Sequence, residues 1–303
     1  MRIGISCYDL PAQDVVELAV AAERAGFASI WLGEHIVAPV SYDSTHPTQP
    51  GEGGAHGTAD HNGRPIVDLR VELVDPLVTL AAAAANTSTL QLATGIYLLP
   101  LRHPLLAARA AATVANLANG RLRLGIGSGW LREEFAALDS AFHGRTARME
   151  EALAVLRAAW RGGPFEFHGA HYDFSPVQVS PHPVPVQLVL GGNSEPALQR
   201  AVALADGWFS SGIPTFDEAR RLRDRLEQLT DSAGRAAHLA TTWRIAGPDP
   251  ALVNAYATEG FEELLIMAYD VWIGTTLEER IESLENAAAH LGLRQAGLTG
   301  AAR

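Results

Sequence analysis

The chain has 303 residues, 48% of them hydrophobic, and its 23 basic and 34 acidic residues give a net charge of −11. This apolar fraction suffices for a large buried core and excludes a mainly disordered chain, while the acidic balance disfavours a nucleic-acid or anionic-membrane surface. All basic residues are arginine, which excludes a Schiff-base lysine and the lysine of a phosphate-binding loop.

Cysteine content and hydropathy indicate the cellular setting. Cys7 is the single cysteine, so an intrachain disulfide and a cysteine-rich zinc site are excluded, and a small buried side chain is expected there. No apolar run reaches the length of about 18 residues that a membrane span needs. No signal-peptide pattern follows Met1. We therefore expect a cytoplasmic protein without a transmembrane helix.

Eight short runs rich in Val, Ile and Leu alternate with longer segments of helical period. The runs are continuous, as expected for buried parallel strands. They are Arg2–Ser6, Ser29–His35, Leu90–Leu98, Arg121–Gly127, Val186–Gly191, Asp206–Ser210, Ala240–Ala246 and Glu262–Ala268. Eight β/α pairs without a change of composition predict one α/β domain, a (β/α)8 TIM barrel over residues 1–303. The alternative is an open doubly wound sheet, but no dinucleotide fingerprint follows the first strand.

Local signals mark several helix boundaries. The expected first, third and fourth helices are Pro11–Gly26, Pro104–Gly120 and Thr146–Trp160. Thr215-x-x-Glu218 and Thr275-x-x-Glu278 are typical of capping boxes for the sixth and eighth helices. Ser194 is a candidate N-cap.

Two intervals between strands are too long for a simple β/α unit and predict insertions after strands two and four. The first insertion, residues 36–74, is rich in Gly, Pro and His and is expected to form a lid on the carboxyl-terminal face of the barrel. In the second, residues 165–174 predict a hairpin that turns at Gly169-Ala170. A Pro-rich connector over residues 180–185 then leads into the fifth strand.

Polar and glycine-rich segments end strands two and three, and a barrel brings such ends to one face. Glu34 and His35 are placed to exchange protons with a bound ligand, unless they only make hydrogen bonds to the fold. Gly95, between Thr94 and Ile96, indicates a bulge or a close backbone approach, with an ordinary kink as the alternative.

Glycine-rich turns also follow strands four and five. In Gly125–Trp130 three glycines allow backbone N–H groups to face a ligand. Gly191–Ser194 opens a helix, whose free N–H groups favour a phosphate, and the alternative is a tight turn with a plain cap. The candidate cofactor-binding residues of these turns are Gly127, Gly129, Trp130, Gly191, Gly192, Asn193 and Ser194.

Histidines and arginines outside these turns suggest no further site. His46, His56 and His61, with Asp60, lie in the first insertion, but His56-x4-His61 matches no zinc signature, so no metal site is predicted. The pair Arg145-x-x-Arg148 and the arginines of the sixth helix are expected on solvated or ion-paired faces.

Four segments, in this order and spacing, resemble the luciferase-like flavin and deazaflavin oxidoreductases, and most closely their deazaflavin-dependent branch. They are AERAGFASIWLGEH (22–35), LATGI (92–96) with LPLRHP (99–104), NGRLRLGIGSGW (119–130) with EEF (133–135), and GGNS (191–194) with ADGW (205–208). The final third of the chain matches only in its β/α pattern.

The resemblance implies a (β/α)8 barrel and a cofactor that is coenzyme F-420, an 8-hydroxy-5-deazaflavin, or else FMN. The cofactor ring would lie against Thr94-Gly95-Ile96, where the family has a cis peptide bond that does not precede proline. The phosphate would lie at Gly191–Ser194 and near Gly129 and Trp130. Glu34 and His35 would lie beside the reactive carbon.

Three functions follow as hypotheses. The first is hydride transfer between F-420 and a small organic substrate, and the second is an FMN-dependent monooxygenase that uses reduced flavin and oxygen. The third is cofactor binding without turnover, because Asn116 and Asn119 replace family residues near the ring. The resemblance also implies a homodimer. The third helix, with Leu105, Ala108, Ala112 and Ala115, would pack across its two-fold axis or else on its own barrel.

Overall fold

The structure is a computed structural model that describes residues 1–46 and 67–293. Strands and helices alternate over most of these residues. The strands are β1 (Arg2–Cys7), β2 (Ser29–Leu32), β3 (Gln91–Thr94), β4 (Tyr97–Leu98), β5 (Leu122–Gly127), β6 (Phe165–His168), β7 (Asp173–Val177), β8 (Gln187–Gly191), β9 (Gly207–Phe209), β10 (Ala240–Ile245) and β11 (Glu263–Met267). The α-helices are α1 (Ala12–Ala25), α2 (Pro76–Asn86), α3 (Pro104–Leu117), α4 (Arg132–Ala137), α5 (Arg145–Trp160), α6 (Glu195–Leu204), α7 (Phe216–Ser232), α8 (Pro250–Thr258) and α9 (Leu277–His290).

The parallel strands close into a barrel. Their order is β3-β2-β1-β11-β10-β9-β8-β5, and β5 pairs back with β3. The short β4 also pairs with β5, so β3 and β4 are two halves of one barrel strand. Within the described residues the barrel therefore has eight strand positions, which confirms the predicted (β/α)8 architecture and excludes the open sheet.

The second and third barrel strands are shorter than predicted. The third is not continuous over Leu90–Leu98, because it breaks at a cis peptide bond between Gly95 and Ile96, as the resemblance implied. The second ends at Leu32 instead of His35. The backbone N–H groups of Ile36 and Val37 turn to the carboxylate of Glu134 and leave the ladder.

The helices follow the predicted pattern with two differences. The Thr215–Glu218 capping box is present on α7, but the box predicted at Thr275 and Glu278 is wrong. In α9 it is Thr276 and Glu279 that pair, because two Thr-x-x-Glu frames overlap there and the helix starts in the second. The short helix α4 was not predicted.

The second insertion adopts the predicted hairpin. Strands β6 and β7 pair antiparallel, outside the barrel. The Glu151 carboxylate on α5 accepts the backbone N–H groups of Ala170 and His171 at 2.9 Å each, which holds the hairpin tip on the barrel. In the first insertion, residues 36–46 and 67–74 contain no helix or strand, and residues 47–66 lie outside the described part.

Apolar side chains fill two layers. The larger lies between the sheet and the helices and includes Cys7, which is 1% exposed as predicted. Ala108 and Ala115 of α3 belong to this layer, and Ala112 is also fully buried within its own chain, so these alanines pack on their own barrel. The smaller layer fills the barrel interior with Trp31, Ala93, Val189, Phe209 and Leu265, and Ile96 packs against it. None of the helices described is long and apolar enough to cross a membrane.

Candidate active site

Two connected cavities open at the carboxyl ends of the barrel strands. The inner cavity has a volume of about 860 Å³ and lies over the barrel interior, and the outer cleft has about 1390 Å³ and lies beside α5 and α6. They share a wall formed by residues 126–130 with Gly191 and Gly192. Together they leave room for an elongated ligand on this face.

Most of the predicted site residues meet here. Glu34, His35, Gly95 and Ile96 line the inner cavity, Asn193 and Ser194 line the outer cleft, and Gly127, Gly129, Trp130, Gly191 and Gly192 line both. Thr94 lines neither, because it is fully buried and its hydroxyl donates to the Gly125 carbonyl at 2.7 Å. The predicted segments thus lie together at one face of the barrel.

Two of the shared-wall glycines have backbone conformations that favour glycine. The φ angles are +79° at Gly129 and +115° at Gly192. A Cβ atom at either position would also lie 2.8 Å from an atom of Phe135 or Ala197, respectively. These turns therefore present backbone to the cavities where a side chain would not fit.

His35 is held by a buried carboxylate. Its Nδ1 lies 3.2 Å from Oε2 of Glu134, a side chain with 0% exposure. The other oxygen of Glu134 accepts the backbone N–H of Ile36. This pairing assigns the proton to Nδ1 and leaves Nε2 as the nitrogen for a ligand in the inner cavity. The sequence indicated Glu134 only as part of the EEF motif. Its contact with His35 could not be predicted, because the two residues are 99 positions apart in the chain.

Glu34 has a different environment from its neighbour. Its carboxylate forms an ion pair with Arg102, accepts from Nη1 of that residue at 3.0 Å, and accepts the Leu98 N–H at 2.7 Å. Burial raises the pKa of Glu34, while Arg102 and the Leu98 N–H act against that rise. Both oxygens are engaged, so Glu34 anchors the β4 half-strand beside the cavity.

The polar residues that open α6 are also placed by the fold. The Asn193 amide donates to the Ser211 carbonyl at 2.7 Å and accepts the Ser211 N–H at 2.9 Å. This ties the loop after β8 to the loop after β9. Ser194 occupies the N-cap position as predicted, but its hydroxyl makes no capping hydrogen bond.

Three aromatic rings pack against Trp130 between the two cavities. The rings of His35, Tyr42 and His46 pack edge-on against it, with centroids 5.6, 6.0 and 5.2 Å away. Burial, followed by the charges of His35 and Arg244, lowers the pKa of His46 to about 4. His46 is therefore neutral at neutral pH. The ring contacts show that Trp130 caps the cavity and does not simply pack on a helix.

Sequence reasoning missed two buried polar groups of the inner cavity. Tyr8 and Arg244 both line it, and the Tyr8 hydroxyl and the Arg244 Nε are buried without a hydrogen-bond partner among the described residues. Burial raises the pKa of Tyr8 and lowers that of Arg244. The sequence could have indicated both residues, because Tyr8 follows β1 and Arg244 lies near the end of β10, and strand ends meet at the site.

Two arginines of the outer cleft differ from the expectation. Arg145 was expected on a solvated or ion-paired face, and Arg132 was not considered as a site residue. Arg132 and Arg145 lie over the Phe142 ring, with guanidinium carbons 4.7 and 3.8 Å from its centroid. Neither has a carboxylate partner within the described part of the chain, and both line the cleft. Burial, and then Arg132, lowers the pKa of Arg145. Arg145 is thus a cleft residue and not part of a solvated face.

The histidines form no metal site in the described regions. No group of three or more His, Cys, Asp or Glu side chains suited to a metal occurs in residues 1–46 and 67–293. His46 lies against Trp130, whereas His56, Asp60 and His61 lie outside the described residues.

Comparisons with known proteins agree with the barrel fold. The model of the luciferase-like monooxygenase family matches residues 4–296. An uncharacterized protein of Mycobacterium tuberculosis is 33% identical over 224 residues, 73% of either chain.

Two solved structures share the fold. The monooxygenase RslO1 from Streptomyces bottropensis has a TM-score of 0.73 at 19% identity, over 96% of this chain and 98% of the other. An F420-dependent secondary alcohol dehydrogenase in complex with an F420-acetone adduct has a TM-score of 0.61 at 17% identity, over 97% and 84%. The family model's match to residues 4–296 establishes the family: this protein belongs to the luciferase-like monooxygenase family of oxidoreductases.

Proposed function

We propose that this protein binds coenzyme F-420 and transfers a hydride between it and a small organic substrate. The observation that carries the proposal is the outer cleft, which continues from the inner cavity and is lined by Arg132, Arg145, Arg200 and Arg221. F-420 has a planar head and a long tail with several anionic groups, and such a tail matches a large arginine-lined cleft.

The described residues fit this cofactor at both ends. Gly95 and Ile96 would contact the ring, and the Tyr8 hydroxyl and Arg244 supply polar groups that the fold leaves without partners. The backbone at Gly191 and Gly192 and the Ser194 hydroxyl would hold the phosphate. Arg132 and Arg145 would bind the anionic tail.

The protein's own contribution to the reaction lies in proton transfer and in the exclusion of water. When bound, the deazaflavin supplies a carbon centre that accepts or donates a hydride. His35, oriented by Glu134, would exchange a proton with the substrate at Nε2. Glu34 would act as a positioning residue through Arg102. The aromatic rings around Trp130 would keep water out of the inner cavity.

The second candidate is an FMN-dependent monooxygenase. The structural likeness to RslO1 favours it, since that protein is a monooxygenase and covers almost the same length. FMN would use the same inner cavity and phosphate site and would leave part of the outer cleft free.

A titration with F-420 and FMN in parallel tests the proposal. We expect F-420 to bind more tightly, with quenching of its fluorescence, and Arg145→Gln to weaken F-420 more than FMN because FMN lacks the extended tail. Arg157→Gln, which removes a comparable cation that pairs with Asp206 away from the cleft, should change neither affinity. Tighter binding of reduced FMN, with oxygen consumption, would favour the monooxygenase instead.

A further inference from the structure

Arg244 is an arginine inside the barrel mouth for which residues 1–46 and 67–293 supply no carboxylate ion pair. It lies on β10 between Trp243 and Ile245, whose side chains belong to the outer core layer, so its own side chain points inward. The guanidinium lies 5.5 Å from the Phe209 ring centroid, and Nη2 donates weakly to the Gly95 carbonyl at 3.4 Å. Nε is buried without a partner. Most of its donor capacity is therefore unused.

Other arginines on or beneath this cavity are paired with carboxylates. Arg102 pairs with Glu34, Arg70 with Asp68 at 2.7 Å, and Arg280 with Asp14 at 3.6 Å. Arg123, deeper in the barrel, pairs with Glu263 at 2.7 Å. Among the described residues no carboxylate forms an ion pair with Arg244. This difference sets it apart from every other cation of the inner cavity.

The acids that line the same cavity are already engaged. Glu34 and Asp68 have their arginines, and the Asp9 carboxylate accepts the Glu72 N–H at 2.8 Å. An arginine stays charged even when burial lowers its pKa, and a buried charge without a partner is costly. A ligand that brings a negative charge would offset that cost.

We propose that Arg244 forms, at the floor of the inner cavity, a binding site for a planar monoanion. The group is a carboxylate or the N–C=O edge of a ring that carries a negative charge. A guanidinium fork binds two adjacent acceptors of such a group in its own plane. The Phe209 ring below the fork and the Gly95 carbonyl beside it fix its orientation.

The anion has two possible sources. One is a carboxylate on the substrate, which would make the protein selective for acids. The other is the cofactor ring in its reduced, anionic form, and this source rests on the proposed function. Either anion would bind Arg244 in the same geometry. Removing the cation would weaken binding of the substrate in the first case and of the reduced cofactor in the second.

The first experiment needs no cofactor. Calorimetric titrations of the purified protein with benzoate and with benzamide, its neutral isostere, compare wild type, Arg244→Gln and Arg70→Gln. If the anion is a substrate carboxylate, wild type prefers benzoate by about tenfold or more, the size of one charge-assisted contact. Arg244→Gln then abolishes the preference, and Arg70→Gln, a paired cation on the same cavity, retains it.

The second experiment addresses the cofactor. The affinity for the oxidised and the chemically reduced forms of FMN and F-420 is measured without oxygen for the same variants. If the anion is the reduced ring, Arg244→Gln lowers the preference for the reduced form by about tenfold, while Arg70→Gln does not. Failure to bind either cofactor would contradict the proposed function but leave the benzoate result decisive for Arg244.

Thermal unfolding of Arg244→Gln shows whether the variant folds. If it does not, Arg244→Lys serves in its place, because it keeps the charge and loses the planar fork; the preference for the anion should then fall several-fold without disappearing. If Arg244 variants change neither the benzoate preference nor the preference for a reduced cofactor, the proposal is wrong.

Discussion

At the scale of single residues, Glu34 and His35 show how neighbours in sequence acquire different chemistry. The Glu34 carboxylate is bound on both oxygens, by Arg102 and by the Leu98 N–H, so its contacts hold the fold beside the cavity. His35 has one nitrogen on Glu134 and the other available. The sequence pattern alone treats the two as equal candidates, and only their partners distinguish them.

His35 and Glu134 therefore carry the first prediction. We expect His35→Ala to lower kcat by about a hundredfold or more, the usual contribution of a general acid or base, with little change in cofactor affinity. Glu134→Gln should lower kcat less, because the glutamine oxygen can still accept a hydrogen bond from Nδ1 of His35.

The matched control is the adjacent Glu133→Gln. Its carboxylate accepts hydrogen bonds from the Asp43 backbone N–H and the Ser44 hydroxyl near the surface and does not touch His35. An equal loss of kcat in both glutamine variants would contradict the role of Glu134.

His46 gives a prediction about pH. Its pKa is about 4 in the folded protein, below the ordinary 6.5, because of burial first and nearby positive charge second. The unfolded chain therefore binds the proton more readily, so folding stability falls as pH drops below about 6.5. By about pH 4.5 this residue should account for a loss of about 2 kcal/mol.

The measurement is denaturant unfolding at neutral pH and near pH 4.5. His46→Gln removes the titrating group, so it should lose less stability than wild type over this interval. Parallel losses in the two proteins would show that His46 is not buried beside Arg244.

At the scale of elements, the broken third strand shapes the cavity wall. The chain leaves the ladder after Thr94, and Ile96 then packs over Gly127 of β5. A Cβ atom at Gly127 would lie 2.0 Å from Cδ1 of Ile96. The glycine of the predicted turn is thus required by a neighbouring strand as well as by any ligand.

Gly127→Ala tests this contact. We expect a loss of stability of about 1 to 3 kcal/mol, the usual range for overpacking a core, and weaker cofactor binding because Ile96 must move. Adding Ile96→Val removes the clashing methyl and should restore much of the stability. Denaturant unfolding and cofactor titration of the single and double variants provide the measurement, and a double variant no more stable than Gly127→Ala would argue against the contact.

At the scale of the whole molecule, a buried polar cluster links strands around the barrel. The Glu263 carboxylate on β11 is fully buried, accepts from the Ser29 hydroxyl on β2 at 2.7 Å, and pairs with Arg123 on β5 at 2.7 Å. It lies on the strands below the cavities and connects positions that are distant in sequence. Its role is structural.

Glu263→Ala should therefore lower stability by about 3 to 5 kcal/mol, because it leaves Arg123 buried without a partner. Replacing both residues, as Glu263→Leu with Arg123→Met, removes the charge together with its partner and should cost much less. Denaturant unfolding of the three proteins measures the difference, and equal losses in the single and double variants would show that the pair is not coupled.

Much of the architecture could be predicted because it depends on local signals. Buried parallel strands are continuous apolar runs, so all eight barrel strands were found, with shifts of a residue or two at most ends. The two strands whose lengths were wrong are those where a distant group intervenes. Glu134 captures the backbone after β2, and the Gly95–Ile96 peptide divides the third strand.

The sequence by itself determined the barrel, the hairpin insertion and the set of strand ends that meet at one face, because periodicity and connectivity are properties of neighbouring residues. Only the tertiary structure decided which of these side chains is free to act. The partners of His35, Glu34 and Arg145 depend on strands and helices brought together by barrel closure. The same closure leaves Arg244 without a carboxylate partner in the part of the chain that the structure describes. The motifs that carry the resemblance end at residue 208, so the sequence offered only a strand-end position for Arg244, and its place at the cavity was settled by the fold.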